Sequence, residues 1–324
     1  MTQNSLPLNI AIAPYGHTAA LLNGDVPLEG IQANFLNINP IIAAFRRMVR
    51  GVEFDVCEMA PATYMIARSM GAPFKALPVF IMRRFHHSGF VVHPGGAIRS
   101  PKDIEGKKVG VRAYSVSTGI WTRGILQNHY DVDIDQVTWM VDDEEHVQEL
   151  VLPPNVQHVP EGKSLVSMMQ TGELQAAFSG PAGIGRAGAP KDGWDSKSIE
   201  EVPYQELFAH HEEVERQWYQ DTKIYPTHGL IVVKDSLMRD HPWLAQSLMN
   251  GFEASKNLYT RKILTGHCDT DVDKNYLKLS KIVGDPLPYG AQANLPAIQA
   301  LMKYCHQQRL LPKLYDLEEM FVPL

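Results

Sequence analysis

Short apolar runs alternate with segments of helical period along the chain, the pattern of an α/β protein. The runs predict strands over 8–13, 54–59, 76–82, 88–93, 108–113, 137–141, 175–179 and 228–234. Between them Ile41, Ile42, Phe45, Met48 and Val49 share one face of a helix from Pro40 to Val49. A second helix starts near Pro61 and runs to Met70. Ser100-Pro101-Lys102-Asp103 opens a short helical turn that Gly106 stops. Helices from Ser117 to Tyr130 and from Leu165 to Gly172 follow. From 235 onward the period is mostly helical, with Trp243, Leu244 and Leu248 on an apolar face.

A chain of 324 residues is expected to form two lobes. The passage Ser100 to Val111 resembles the start of the second lobe in type II periplasmic-binding-protein folds. Leu165 to Phe178 resembles their helix followed by a cleft-lining strand. The expected fold is therefore a two-lobed α/β protein of that type with a ligand cleft between the lobes. Lobe 1 is discontinuous, 1–95 plus 226–324, and lobe 2 is 96–225. Residues 180–205, rich in Gly, Pro and charge, read as a surface excursion.

The net charge of −6 argues against a nucleic-acid partner, because phosphate binding needs a surplus of Lys and Arg. No apolar run is long enough to span a membrane. Cys57, Cys268 and Cys305 form neither a disulfide framework nor a zinc pattern. The polar start ahead of Leu8 has no basic and apolar leader pattern, which predicts a cytoplasmic protein. Homo-oligomerisation is left open.

Three motif-like stretches are set aside. Gly183-Ile184-Gly185-Arg186-Ala187-Gly188 matches a dinucleotide fingerprint, but Pro190, Gly193 and Trp194 follow where a helix must begin. His210-His211-Glu212-Glu213 lacks a paired-histidine zinc spacing and reads as a solvated helix face. Asp142-Asp143-Glu144-Glu145 reads as a solvated loop.

Five clusters fall at strand ends or helix starts, where α/β proteins collect ligands. They are Tyr15-Gly16-His17-Thr18; Glu58 with Tyr64; Arg83 to Ser88, including His86 and His87; Tyr114 to Arg123; and Pro226-Thr227-His228. Guanidinium groups suit a carboxylate, and histidines move protons near neutral pH. Ser117 and Thr118 ahead of helical amides suit an anion, and Trp121 an aromatic ring. Core filling by Trp121, capping by Ser117 and Thr118, and a structural His17 are the competing readings.

These residues resemble the 4,5-dihydroxyphthalate decarboxylases. The likeness is densest in Tyr15-Gly16-His17-Thr18, Phe54 to Met59, Phe85-His86-His87-Ser88, Tyr114 to Leu126, and His241-Pro242-Trp243. Gly16 stands where the family pattern has Asp, His86 where it has Arg, and Ser117 where it has Thr. Pro181 stands where an arginine is common, with Arg186 the nearest substitute. The resemblance implies a cytoplasmic decarboxylase of a hydroxylated aromatic dicarboxylate, 4,5-dihydroxyphthalate to protocatechuate and CO2, with no cofactor required. The alternatives are a non-catalytic solute-binding protein for a small aromatic carboxylate and a decarboxylase of a related hydroxybenzoate. Arg123 and Arg83, with Ser117, would hold the dianion. His87 would protonate the ring carbon, and His17 or His228 would polarise a hydroxyl. Tyr15, Thr18, Glu58, His86, Ser88, Thr118 and Trp121 complete the expected binding set. A divalent metal on His17, His87 and His228 is the lesser expectation.

Overall fold

The computed structural model describes residues 5–185 and 204–324. They form two compact units: 5–84 with 227–298 and 315–324, and 85–185 and 204–226 with 299–314. Two expected boundaries move. Residues 85–95 belong to the second unit, since Phe90–Val92 pairs with strands there. So does 299–314, since Tyr304 and Gln308 pack on the helix Ser117–His129: Gln308 Nε2 donates to the Ile120 carbonyl at 2.9 Å.

The first unit contains β1 (Leu6–Ala11), β2 (Ile31–Phe35), β3 (Val56–Met59) and β4 (Phe74–Arg83). The second contains β5 (Phe90–Val92), β6 (Lys108–Gly110), β7 (Thr138–Val141), β8 (Val156–His158), β9 (Ala176–Phe178) and β10 (Gln205–Glu206). The chain then returns to the first unit as β11 (Thr227–Lys234). The sheet orders are β2-β1-β3-β11-β4 and β10-β5-β9-β6-β7-β8.

In the first sheet β1 runs parallel to β2 and β3, while β11 runs antiparallel to both β3 and β4. The carboxyl ends of β1, β3 and β4 thus lie along one edge, beside the start of β11. Its core gathers Ile10, Val56, Leu77, Ile231 and Val233 with Leu248 and Phe252 of the helix Leu244–Leu264. In the second sheet Leu165, Met168 and Leu174 pack on Val91 and Ala177.

The eight expected strands all form, shifted by a few residues at their ends, and three more appear among the described residues. β2 alternates buried and exposed positions, β8 is mostly exposed and β10 has two residues, so none is a continuous apolar run. The helices Ile42–Gly51, Pro61–Ser69, Ser117–His129 and Leu165–Gln170 lie where expected. The turn at Ser100 is a 3-10 helix with a capping box between Ser100 and Asp103. Trp243 departs from the expected apolar face. It is 43% exposed, whereas Leu244 and Leu248 are fully buried. Arg186 and the second half of the glycine motif, as well as most of the 180–205 excursion, lie outside the described residues.

Candidate functional site

Four expected residues meet at the strand-end edge of the first unit. β1 ends at Ala11, and a turn over Tyr15 to Thr18 leads into the helix Ala19–Leu22. Thr18 Oγ1 closes that turn, accepting from the Tyr15 N–H at 2.8 Å and donating to the Ala13 carbonyl at 2.8 Å. Thr18 is therefore the buried brace of the turn. Glu58, on β3, is 1% exposed. Its carboxyl accepts from the Tyr15 hydroxyl at 2.7 Å and from the Ala13 N–H at 3.1 Å. Burial pushes Glu58 up to about 7, against the pull of these two hydrogen bonds. A carboxyl at that acidity exchanges protons at neutral pH.

His17 is 1% exposed. Its ring stacks on Tyr15 at 5.2 Å and 5°, lies 5.9 Å from the Tyr259 ring, and meets Tyr276 edge-on at 6.4 Å. Burial, with the Lys256 charge adding to it, lowers His17 to about 4. At neutral pH it is an uncharged ring that can accept or donate one hydrogen bond.

Arg83 ends β4, opposite Thr227 at the start of β11. It is 3% exposed, while its neighbour Arg84 faces solvent, so the strand alternation selects Arg83 as the inward cation. Its Nη2 donates to the Pro288 carbonyl at 3.4 Å, and its guanidinium lies 5.4 Å from the Phe80 ring. His228, half-buried on β11, is held well below the ordinary histidine range by burial, with Arg84 adding to it.

Sequence reasoning missed five members of this unit. Ser255 Oγ donates to the His17 carbonyl at 2.8 Å, which docks the helix Leu244–Leu264 on the turn. The same helix therefore presents Lys256 and Tyr259 there. Tyr276 comes from the helix Asp271–Val283, and Tyr289 from the loop after it. The available signal was a buried Lys and Tyr within the apolar spacing Phe252, Ser255, Lys256, Tyr259, Ile263.

The other expected residues lie in the second unit, several of them committed to its interior. Arg123 is fully buried, so the expected carboxylate clamp needs correction. Its Nε donates to Gln308 at 2.7 Å, its Nη2 to the Tyr114 carbonyl, and its guanidinium stacks 3.9 Å from the Tyr114 ring centre. Trp121 is also fully buried, stacked on His86 at 6.1 Å and edge-on to Tyr304 at 5.7 Å, so it is core rather than ligand platform. Ser117 is buried and Thr118 half-buried. The helix cap is Val116, with no side-chain capping bond, so neither hydroxyl acts as the cap.

His87 is fully buried with both ring nitrogens unpartnered among the described residues, flanked edge-on by Phe208 and Trp218 at 5.4 Å each. Burial, then the charges of His129 and His211, lowers it to about 4. A ring that is neutral at pH 7 is a poor proton donor, which counts against His87 as the acid. The turn after it does not offer free amides to an anion either. Glu215 accepts from the backbone of His87 and half-buried Ser88, and Glu206 from the Gly89 N–H at 2.9 Å.

The acidic run at 142–145 is not a solvated loop. Asp143 and Arg112 form a buried ion pair at 2.9 Å, with side chains 1% and 3% exposed. Glu145 accepts from the Tyr114 and Ser115 N–H groups at 2.6 and 3.0 Å, occupying the amides ahead of the helix Ser117–His129. His210, Glu212 and Glu213 are exposed as expected, with His211 half-buried. Among the described residues no group of three or more His, Cys, Asp or Glu gathers to hold a metal ion, and no helix is long and apolar enough to cross a membrane.

No family model matches the chain. It is 28% identical to the 4,5-dihydroxyphthalate decarboxylase of Comamonas testosteroni, across 99% of this chain and 97% of that protein. It is 30% identical to the 4,5-dihydroxyphthalate decarboxylase of Pseudomonas putida, across 54% of this chain and 70% of that protein. The chain belongs to the 4,5-dihydroxyphthalate decarboxylase family. Within that family its fold is periplasmic-binding-protein-like. It is similar to the aliphatic sulphonate binding protein SsuA of Escherichia coli, with TM-score 0.52 and 12% identity over 99% of this chain and 92% of that one. It is equally similar to the Candida albicans CA3427 gene product, which has the generic periplasmic binding protein fold. That match has TM-score 0.51 and 11% identity over 98% of this chain and 96% of that one.

Proposed function

We propose that this protein is a carboxy-lyase that converts 4,5-dihydroxyphthalate to protocatechuate and CO2. The carrying observation is the Tyr15–Glu58 pair: a buried carboxyl held at about 7, bonded to a phenol, beside His17 at the strand ends. Its weight comes from a chain similar along nearly its whole length to a protein of that name.

Each carboxylate of 4,5-dihydroxyphthalate has a hydroxyl para to it. Electron release from that hydroxyl makes the carbon bearing the carboxylate basic. Proton transfer to that carbon forms a C–H bond, the C–C bond to the carboxylate breaks, and its electron pair restores the ring as CO2 leaves. Tyr15 is partly exposed and Glu58 is not, and burial beside Glu58 raises the Tyr15 hydroxyl above its ordinary range. Tyr15 is therefore a relay: as its proton passes to the ring, protonated Glu58, the net acid, replaces it. Neutral His17 accepts the hydrogen bond of the reacting phenol. Arg83 pairs with a substrate carboxylate. Side chains and substrate supply every proton and electron this sequence uses, so we expect no cofactor. The three free thiols suit a cytoplasmic enzyme of aromatic catabolism.

Purified protein is mixed with 4,5-dihydroxyphthalate, with and without a chelator, and CO2 and protocatechuate are followed. Turnover in both arms is the expected result, with Glu58→Gln slower by about 10²–10⁴, the usual worth of general acid–base help. Turnover lost with the chelator would overturn the metal-free reading. Binding without turnover would make the protein a receptor for aromatic acids instead.

A further inference from the structure

Lys256 is 6% exposed, yet its ion-pair partner Asp285 lies 3.8 Å away with a half-exposed side chain. A pair that long and that hydrated contributes little, while a buried ammonium is costly to desolvate. The Lys256 Nζ instead lies 4.9 Å above the ring of Tyr289. Tyr289 is 8% exposed, and its hydroxyl is buried with no hydrogen-bond partner among the described residues. A buried hydroxyl without a partner is rare in folded proteins and leaves one directed hydrogen bond to be made.

Both residues are held in place by the fold. Ser255, next to Lys256, is tied to the His17 carbonyl at 2.8 Å. The Tyr289 loop is fastened to β4 by the Gly290 N–H donating to the Pro78 carbonyl at 2.8 Å. Pro288 receives the Arg83 guanidinium, which places a second buried cation beside Tyr289. Exposed Glu253 and Asp285 are the acidic groups whose charge reaches Tyr289, and both are open to water.

We infer that Lys256 and the Tyr289 hydroxyl form a second anion subsite, which takes a carboxylate of the aromatic ligand other than the one Arg83 holds. The inference rests on the aromatic-dicarboxylate reading above and names how that ligand is told from a monocarboxylate. Lys256 supplies charge, and Tyr289 supplies one directed hydrogen bond.

The test uses phthalate and benzoate, which differ by one carboxylate and carry no hydroxyl to drive decarboxylation. Binding is measured by titration calorimetry to the unaltered protein, Lys256→Met and Tyr289→Phe. A charge-assisted contact predicts that the unaltered protein favours phthalate by about tenfold or more, and that Lys256→Met brings the two within about threefold. Tyr289→Phe removes one oxygen, so it is expected to retain its melting temperature and lose about threefold of the preference. Should Lys256→Met fail to fold, Tyr289→Phe decides alone. Equal binding of both acids by the unaltered protein, or an unchanged preference in a folded variant, overturns the subsite. The decarboxylase reading stands or falls separately, on turnover of 4,5-dihydroxyphthalate.

Discussion

A Cβ atom at Gly16 would lie 2.2 Å from Cε2 of Tyr259. The ring fills the space a side chain at 16 would take, which gives a physical reason for Gly where the family pattern carries Asp. Tyr259 is fixed in turn by its hydroxyl, which donates to Asp273. Gly16→Ala is expected to cost about 1–3 kcal/mol, the usual range for overpacking. In a Tyr259→Ala background the same change should cost far less. Denaturant melts of the four proteins in this double-mutant cycle give the coupling, and strict additivity would show that the ring yields freely.

Glu58 makes two pH predictions of defined sign. If protonated Glu58 feeds the reaction, turnover is full below about 7 and falls as pH rises through about 7. Stability follows the same group. Its folded-state acidity lies above its unfolded value, so its contribution is greatest below about 4.5 and declines until pH reaches about 7. Glu58→Gln should flatten both limbs, seen in rate profiles and in melting temperatures across pH.

His87 and His17 act in the opposite sense. Both are lowered to about 4 in the folded protein. Their contribution is complete above about 6.5 and is lost as pH falls toward about 4, because the unfolded chain takes up the protons first. His87→Leu removes one of these liabilities. Thermal melts at pH 7.5 and pH 5 should lie closer together in this variant than in the unaltered protein. Turnover at neutral pH should change only a few-fold, and its abolition would restore His87 as a catalytic residue.

Asp143 is the costliest of the acidic-run side chains to remove. Asp143→Ala leaves the Arg112 guanidinium buried without its carboxylate, a loss of about 3–5 kcal/mol. Glu144→Ala, one residue on and exposed, should change stability by less than about 0.5 kcal/mol in the same denaturant series.

The architecture was legible wherever a strand is buried on both faces. β3, β4 and β11 announce themselves as apolar runs, whereas β2, β8 and β10 carry too little apolar length to stand out. The turn Tyr15 to Thr18 and the Glu58 strand end were legible because their chemistry sits on short local patterns. Arg83 could not be told from Arg84 without the pleat that buries one and exposes the other. Arg123 and Trp121 misled because a cation or an indole near a helix start looks the same whether it faces a ligand or a core. Their true partners, Gln308, Tyr304 and His86, lie far off in sequence. Distance along the chain also hid the Arg112–Asp143 pair, whose members are separated by 31 residues.

Asp273 does two jobs at once. One of its oxygens accepts the Tyr259 hydroxyl, and the other accepts the Asp269 and Thr270 N–H groups at 3.0 and 2.9 Å, where the helix Asp271–Val283 begins. The wall beside His17 and the start of that helix therefore share a single carboxylate. A substitution at 273 would unseat both, so the wall cannot be recut from that side. Room for a different ring substituent has to come from Gly16 and Tyr259 changing together, and a protein with altered preference should carry paired changes at those two positions while keeping its acid at 273.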